Sequence, residues 1–205
     1  DQETGEVLIN SPVWSAADEL DGRVEVDGHT DRTIVTYSMA DGVGGIPFTH
    51  SSINSSGTTE QMDYLTPDWS ASASASAENL INFLRGEQDH EVKKGGPFRD
   101  RSSLLGDIVH SSPYYHDNIL YTGGNDGMLH GLDAETGEEL FAYVPGLVYD
   151  NLKELGNPDY THHFYVDLTP YVKEGVDFSG TEKTVLVGGL THAVFRIVLH
   201  RCNSL

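Results

Sequence analysis

Apolar residues along this chain fall in short runs broken by glycine, asparagine and aspartate, and the pattern of the runs changes near residue 97. Upstream, Arg23-Val-Glu-Val26 and Arg32-Thr-Ile-Val-Thr-Tyr37 alternate apolar with polar positions on either side of Asp27-Gly28, which predicts two strands joined by a turn. Residues 41–59 are rich in Gly, Ser and Asn and read as a loop. The triplet Asn54-Ser-Ser56 within it matches a glycosylation acceptor, but a serine-rich loop produces such triplets by chance. Alternating Ser and Ala over 70–77 lead into Ala77, Leu80, Ile81 and Leu84. That spacing predicts one short helix over about 72–85, capped by Asp68 or Ser70 and ended by Gly86. Lys93-Lys-Gly-Gly-Pro97 reads as a linker. Residues 1–97 are therefore expected to form an α/β flanking region with a hairpin, a loop and that helix.

Downstream the pattern is β throughout. Ile108-Val109, Ile119–Thr122, Met128–Asp133 and Glu139–Val144 predict four short antiparallel strands, with tight turns at Gly124-Asn-Asp-Gly127 and Asp133-Ala-Glu-Thr-Gly137. Four strands of this length make one propeller blade. A blade covered on both faces loses clean alternation, as in Met128-Leu129 and Leu132, and Gly131 is expected to admit a neighbouring blade. Residues 150–164 read as a longer connection holding a short helix.

Part of this region occurs twice. Asp107-Ile-Val-His-Ser-Ser-Pro113-Tyr leads to Ile119-Leu-Tyr-Thr-Gly123-Gly124, and Tyr165-Val-Asp-Leu-Thr-Pro170-Tyr leads to Val185-Leu-Val-Gly188-Gly189. The two prolines are 170 − 113 = 57 positions apart, within the range of propeller arrays. Such a unit cannot bury its faces alone, and at least about three units are needed for stability. The expected fold class is thus all-β: an incomplete, partial β-propeller, with residues 98–205 supplying a first blade and part of a second. After Gly189 the glycine-rich pattern gives way to Thr191-His-Ala-Val-Phe-Arg-Ile-Val-Leu-His-Arg-Cys202, read as a truncated or frame-shifted end, with an ordinary final strand as the alternative.

Charge narrows the function. With 32 acidic against 12 basic residues the net charge is −20, a field that repels nucleic acid and anionic lipid. The single cysteine, Cys202, allows neither an internal disulfide nor a thiolate zinc site. No apolar stretch reaches the ~18 residues of a membrane span, and residues 1–15 lack the apolar run of a signal peptide.

The candidate chemistry is sparse, and no catalytic, cofactor-binding or metal-binding residue is assigned. Asp107, His110, Ser111 and Ser112 contain the letters of a hydrolase triad, but neighbours on a strand cannot form its relay, and no Gly-x-Ser-x-Gly elbow occurs. His110, His116, His130, His162 and His163 lack metal-ligand spacing and read as surface or strand-packed histidines. Asp126, Asp133, Glu135, Glu138 and Glu139 cluster at the two turns. Calcium needs six to eight oxygens, and Asn125-Asp126 supplies too few, so these side chains are expected to serve turn backbone groups. Arg99 and Arg101, flanking Asp100, are expected to pair with blade carboxylates.

Leu120-Tyr-Thr-Gly-Gly-Asn-Asp-Gly-Met-Leu-His-Gly-Leu-Asp-Ala-Glu-Thr-Gly137 resembles the repeats of quinoprotein-like propellers. A wider block is more specific. Asn82-Phe-Leu-Arg-Gly86, Phe98-Arg-Asp-Arg-Ser-Ser-Leu-Leu-Gly-Asp-Ile-Val-His-Ser-Ser-Pro113, Phe141-Ala-Tyr-Val-Pro145, Asn151-Leu152 and Tyr160-Thr-His162 with Tyr165-Val-Asp167 resemble the entry into the C-terminal propeller of the PilC/PilY family of type IV pilus tip-associated proteins. The resemblance implies a non-enzymatic, exported, pilus-associated or outer-membrane protein, with a signal peptide outside these residues. It implies pilins and minor pilins as partners, and host or abiotic surfaces as ligands. Some members bind calcium through a loop with acidic residues at alternating positions; no such run occurs here, so no residue inherits that site. The alternatives are a quinone-dependent dehydrogenase propeller, for which Trp14 and Trp69 lie too early to form the aromatic floor, and an outer-membrane assembly scaffold.

Overall fold

The computed structural model describes residues 12–40, 44–190 and 193–199. The flanking region is more helical than its pattern suggests. Helix α1 spans Ala16–Asp27, opened by the Ser15 hydroxyl accepting from Asp18 N–H and closed at Gly28. Arg23–Val26 therefore lie in a helix and not in a hairpin arm. Four alternating residues are too few to outweigh a capped start and two acids in the first turn, Asp18 and Glu19, set against the helix dipole. Strand β1, Ile34–Tyr37, does form, but it pairs antiparallel with β2, Gly45–Pro47.

The expected loop at 41–59 carries α2, His50–Ser56, and is followed by α3, Thr59–Tyr64. Its hydroxyl residues act as caps: Thr49 Oγ1 accepts from Ser52 N–H, and Thr58 Oγ1 from Gln61 N–H. Helix α4 runs Ala77–Arg85 and ends at Gly86 as expected. It starts later than predicted, capped by Ser76, because the preceding serines turn back on the backbone. Ser70 Oγ accepts from Ser72 N–H, and Ser72 Oγ from Ser74 N–H.

Strands β3 (Tyr114–His116), β4 (Ile119–Gly123), β5 (Leu129–Asp133) and β6 (Glu139–Val144) form an antiparallel meander. The first of them is not Ile108-Val109, which are partly exposed and outside any strand. The β3–β4 turn is Asp117-Asn118, both at positive φ, a conformation Asp and Asn tolerate. Strand β1 then adds in parallel beside β6, giving a six-stranded sheet ordered β2-β1-β6-β5-β4-β3.

A short 3-10 turn, α5 (Tyr149–Leu152) and a second 3-10 turn make the predicted helical connection. Strands β7 (Leu168–Phe178), β8 (Thr181–Leu190) and β9 (Ala193–Leu199) form a second antiparallel sheet. Within the tail, 193–199 run antiparallel to β8; Thr191, His192 and 200–205, Cys202 included, lie outside the described residues.

Helix α4, the connection and both sheets share one core that includes Phe48, Leu80, Ile81, Phe83, Phe98, Leu129, Tyr149, Leu152, Val166 and Leu186. Each such side chain contributes about 1.5–3 kcal/mol when fully buried. The glycine that admits the segment entering the second sheet is Gly123, where a Cβ would collide with the Val166 carbonyl oxygen. Gly131 makes room instead for the Phe141 ring of the adjacent strand in its own sheet, since the two residues pair directly across β5 and β6.

Candidate binding site at the junction of the two sheets

Segments 107–116 and 162–174 run against each other where the sheets meet, and residues one repeat apart face each other. His110 N–H donates to Asp167 Oδ1 at 3.2 Å, and its ring Nδ1 stands 2.6 Å from Asp167 Oδ2. The Ser111 hydroxyl donates to the Leu168 carbonyl at 3.3 Å, and Ser112 N–H donates to Thr169 Oγ1 at 3.0 Å. The rings of Tyr114 and Tyr171 meet edge to face, centroids 5.1 Å apart. Every one of these pairs is separated by 57 positions (171 − 114 = 57 for the tyrosines). Like units stacked side by side produce this register, because each offers its neighbour the same surface.

More histidines lie along the seam. His162 Nε2 is 2.9 Å from Asp107 Oδ2, and His116 Nε2 is 3.5 Å from Glu174 Oε1. The half-exposed Phe164 ring lies between His110 and His162, with centroids 5.0 and 5.1 Å away. Burial pushes the Asp107 carboxyl up, but hydrogen bonds from Asn125 and His162 outweigh it and hold the group below the usual carboxylate range.

Beside the seam opens a cleft of about 600 Å³, lined among others by Arg99, Arg101, Ser103, Asn125, Tyr160 and His162. Neither arginine pairs with a blade carboxylate as expected. Arg101 turns back to Glu91, its Nε donating to Oε1 at 3.0 Å, while its terminal nitrogens donate to the Phe83 and Glu87 carbonyls, both at 2.6 Å. Those carbonyls sit at the negative end of α4, which attracts the cation. Burial pulls the Arg101 pKa down to about 10 against the opposing pull of Glu91. Arg99 donates from Nε to the Leu155 carbonyl at 2.6 Å, and its guanidinium lies 4.6 Å from the Tyr160 ring centre.

Beneath the cleft runs a buried ionic chain that sequence reasoning missed. Arg32 grips both oxygens of Glu139 at 2.7 and 2.8 Å and donates to the Arg85 carbonyl at 2.9 Å. His130 stands between two carboxylates, with Nδ1 2.8 Å from Glu139 Oε1 and Nε2 3.1 Å from Asp126 Oδ2. Asp126 also accepts from the backbone N–H groups of Gly106 and Met128. Burial lowers the His130 pKa, but attraction and hydrogen bonds from Asp126 and Glu139 overcome this and raise it to about 9. Burial would raise Asp126 and Glu139; His130 holds Asp126 below its ordinary value, and His130 with Arg32 does so for Glu139. The sequence pattern groups Glu139 with the turn acids. The one signal against that reading is its place opening the apolar strand Glu139–Val144, a position facing inward.

Of the remaining turn acids, Asp133 does serve backbone groups: its Oδ1 accepts from Glu135 and Thr136 N–H. The triad letters separate, as Asp107 meets His162, His110 meets Asp167, and the Ser111 hydroxyl accepts from Gly123 N–H. His163 packs against Tyr160. Among the described residues, no three His, Cys, Asp or Glu side chains stand together as a metal site, and no helix is long and apolar enough to cross a membrane. What the arrangement offers chemically is a fixed surface of imidazole–carboxylate pairs, aromatic rings and one uncommitted guanidinium.

Comparison with known proteins gives a consistent direction. The chain is 32% identical over 209 aligned positions, 86% of its length, to the type IV pilus biogenesis factor PilY1 of Pseudomonas aeruginosa strain UCBPP-PA14, covering 17% of that protein. It is 36% identical over 149 positions, 58% of its length, to a PilY1 homolog of Xylella fastidiosa strain Temecula1, covering 12% of that protein. A weaker likeness, 26% over 83 positions, covers 40% of the chain and 12% of the lupanine 17-hydroxylase [cytochrome c] of a Pseudomonas species. The chain spans less than a fifth of the length of each of these relatives. No family model matches the chain, and no solved structure matches it.

Proposed function

The chain belongs to the PilC/PilY family of type IV pilus biogenesis factors, and from that premise we propose that it is a segment of a pilus-associated protein that acts by binding. Its relatives carry the name of a pilus biogenesis factor, and the surface at the seam has the character of a contact surface, with fixed side chains and exposed aromatic groups. The two sheets act as consecutive blades of one propeller. The observation that carries this reading is the 57-residue register between Ser111 and Leu168, Ser112 and Thr169, and Tyr114 and Tyr171. Pilins and minor pilins are the expected partners, with surface adhesion as the outcome at the cell exterior.

The test replaces this segment in the whole gene with a glycine-serine linker and scores surface pili and copurification of minor pilins. Loss of both is expected. Normal piliation with minor pilins still copurifying would remove the reading.

An enzyme is the second reading, in the form of the quinone-dependent dehydrogenase considered from the sequence; the likeness to a protein named lupanine 17-hydroxylase [cytochrome c] favours an enzyme without specifying the cofactor. Against it, Trp14 packs on the Gly137 turn and Trp69 lies beside Leu80, Phe98 and Gly156, so neither is free to floor a planar cofactor. Absorbance of the whole protein loaded with quinone and calcium decides this: a bound-quinone band would favour the enzyme.

A further inference from the structure

Five arginines have described side chains, and four are fully committed. Arg23, Arg32, Arg85 and Arg101 each bond through both terminal nitrogens to carbonyl or carboxylate oxygens. Arg99 differs. Its Nε is fixed on the Leu155 carbonyl and its plane on Tyr160, yet among the described residues both terminal nitrogens lack a partner. In a chain of net charge −20, with 32 carboxylates to choose from, this guanidinium pairs with none of the described ones. It lines the 600 Å³ cleft, and so does Ser103, whose hydroxyl is buried without a hydrogen-bond partner among the described residues. A buried polar atom without a partner is uncommon and calls for an explanation. A guanidinium held by its Nε presents two parallel N–H donors, the geometry that matches a planar carboxylate.

The rest of the cleft narrows the ligand. Asp107 also lines the cleft, its carboxylate oxygens being acceptors for hydroxyl groups, while Leu105 and Leu155 supply apolar surface. A carboxylate carried on a ring of hydroxyls and C–H faces satisfies all three surfaces at once; a bare inorganic oxyanion satisfies only the first. We propose that this cleft binds an acidic sugar of the uronic-acid class, its carboxylate taken by Arg99 with a further hydrogen bond from Ser103. The proposal is independent of the pilus role, whose failure in the linker replacement would leave it standing.

The test uses the full chain, titrated with sodium glucuronate and followed by NMR shifts, with glucose and sodium sulfate as comparison probes. Saturable shifts at Ser103 and at the Arg99 Nε–H are expected with glucuronate, and binding about tenfold or more weaker with glucose and with sulfate. Arg99→Gln keeps an N–H for the Leu155 carbonyl but removes the paired donors; it should weaken glucuronate about tenfold or more at unchanged melting temperature. Ser103→Ala should weaken it about threefold or more, and it serves as the deciding variant if Arg99→Gln does not fold. Absence of saturation, binding by Arg99→Gln within about twofold of the parent, or an equal affinity for sulfate overturns the assignment.

Discussion

Arg32 and Glu139 lie 107 positions apart and meet in a two-pronged ion pair that the surrounding core closes off from water. The pair joins the segment before β1 to the first residue of β6. It sits where β1 adds in parallel to the meander, so the flanking region completes the sheet and does not merely precede it.

Breaking that pair from one side leaves a buried charge alone. Arg32→Met is expected to lower stability by about 3–5 kcal/mol in urea unfolding. Lys94→Ala, which removes an exposed partner of Asp89, should leave the urea midpoint essentially unchanged.

The same network sets a pH optimum. His130, raised to about 9 from an ordinary 6.5, contributes stability that is complete below about pH 6.5 and is lost as pH rises through 9. Asp126 and Glu139 are held below their ordinary values of 3.8 and 4.5, so their contribution is complete once pH exceeds those ordinary values and is lost on acidification below them. The melting temperature should therefore peak between about pH 5 and 6.5 and decline toward pH 9. Growing negative charge also destabilises at high pH. His130→Gln separates the two, and should lose most of the decline above pH 6.5; an unchanged decline would assign it to net charge.

Across the seam, Asp167 accepts from both the backbone and the ring of His110. Asp167→Ala should speed amide exchange at His110 about tenfold or more while leaving Leu129, inside β5, protected. Equal acceleration at both would mean global destabilisation in place of a loosened junction.

Gly123→Ala should cost about 1–3 kcal/mol, because its new methyl meets the Val166 backbone and the second sheet must shift. Gly44→Ala meets nothing within 4 Å and is the neutral control. Equal melting temperatures for the two would show that the sheets are not in contact at Gly123.

Much of the architecture was legible in the residues. Gly86 ends α4, the Asp133 turn forms as read, and three of the four meander strands fall where their apolar runs predicted. Short elements were the ones misread. The alternation at 23–26 covers barely one helical turn, and the Ser/Thr content of 49–58 is shared by loops and by helix caps. At the candidate site, Arg99 could be singled out but not its freedom from carboxylates, since a partner is a matter of reach and not of sequence spacing.

Local pattern determines what neighbours along the chain can settle: where strands turn, which residues cap, and the 57-residue period itself. Distance in space decided the remainder. That β1 joins the meander in parallel, that Arg32 finds Glu139, and that His110 meets its own equivalent Asp167 all depend on packing between segments separated by roughly 57 to 107 positions. The first two contacts carry no periodic signature, because burial and charge pairing constrain the folded surface and leave the intervening residues free to vary; the third falls on the repeat, but only folding sets the two copies face to face.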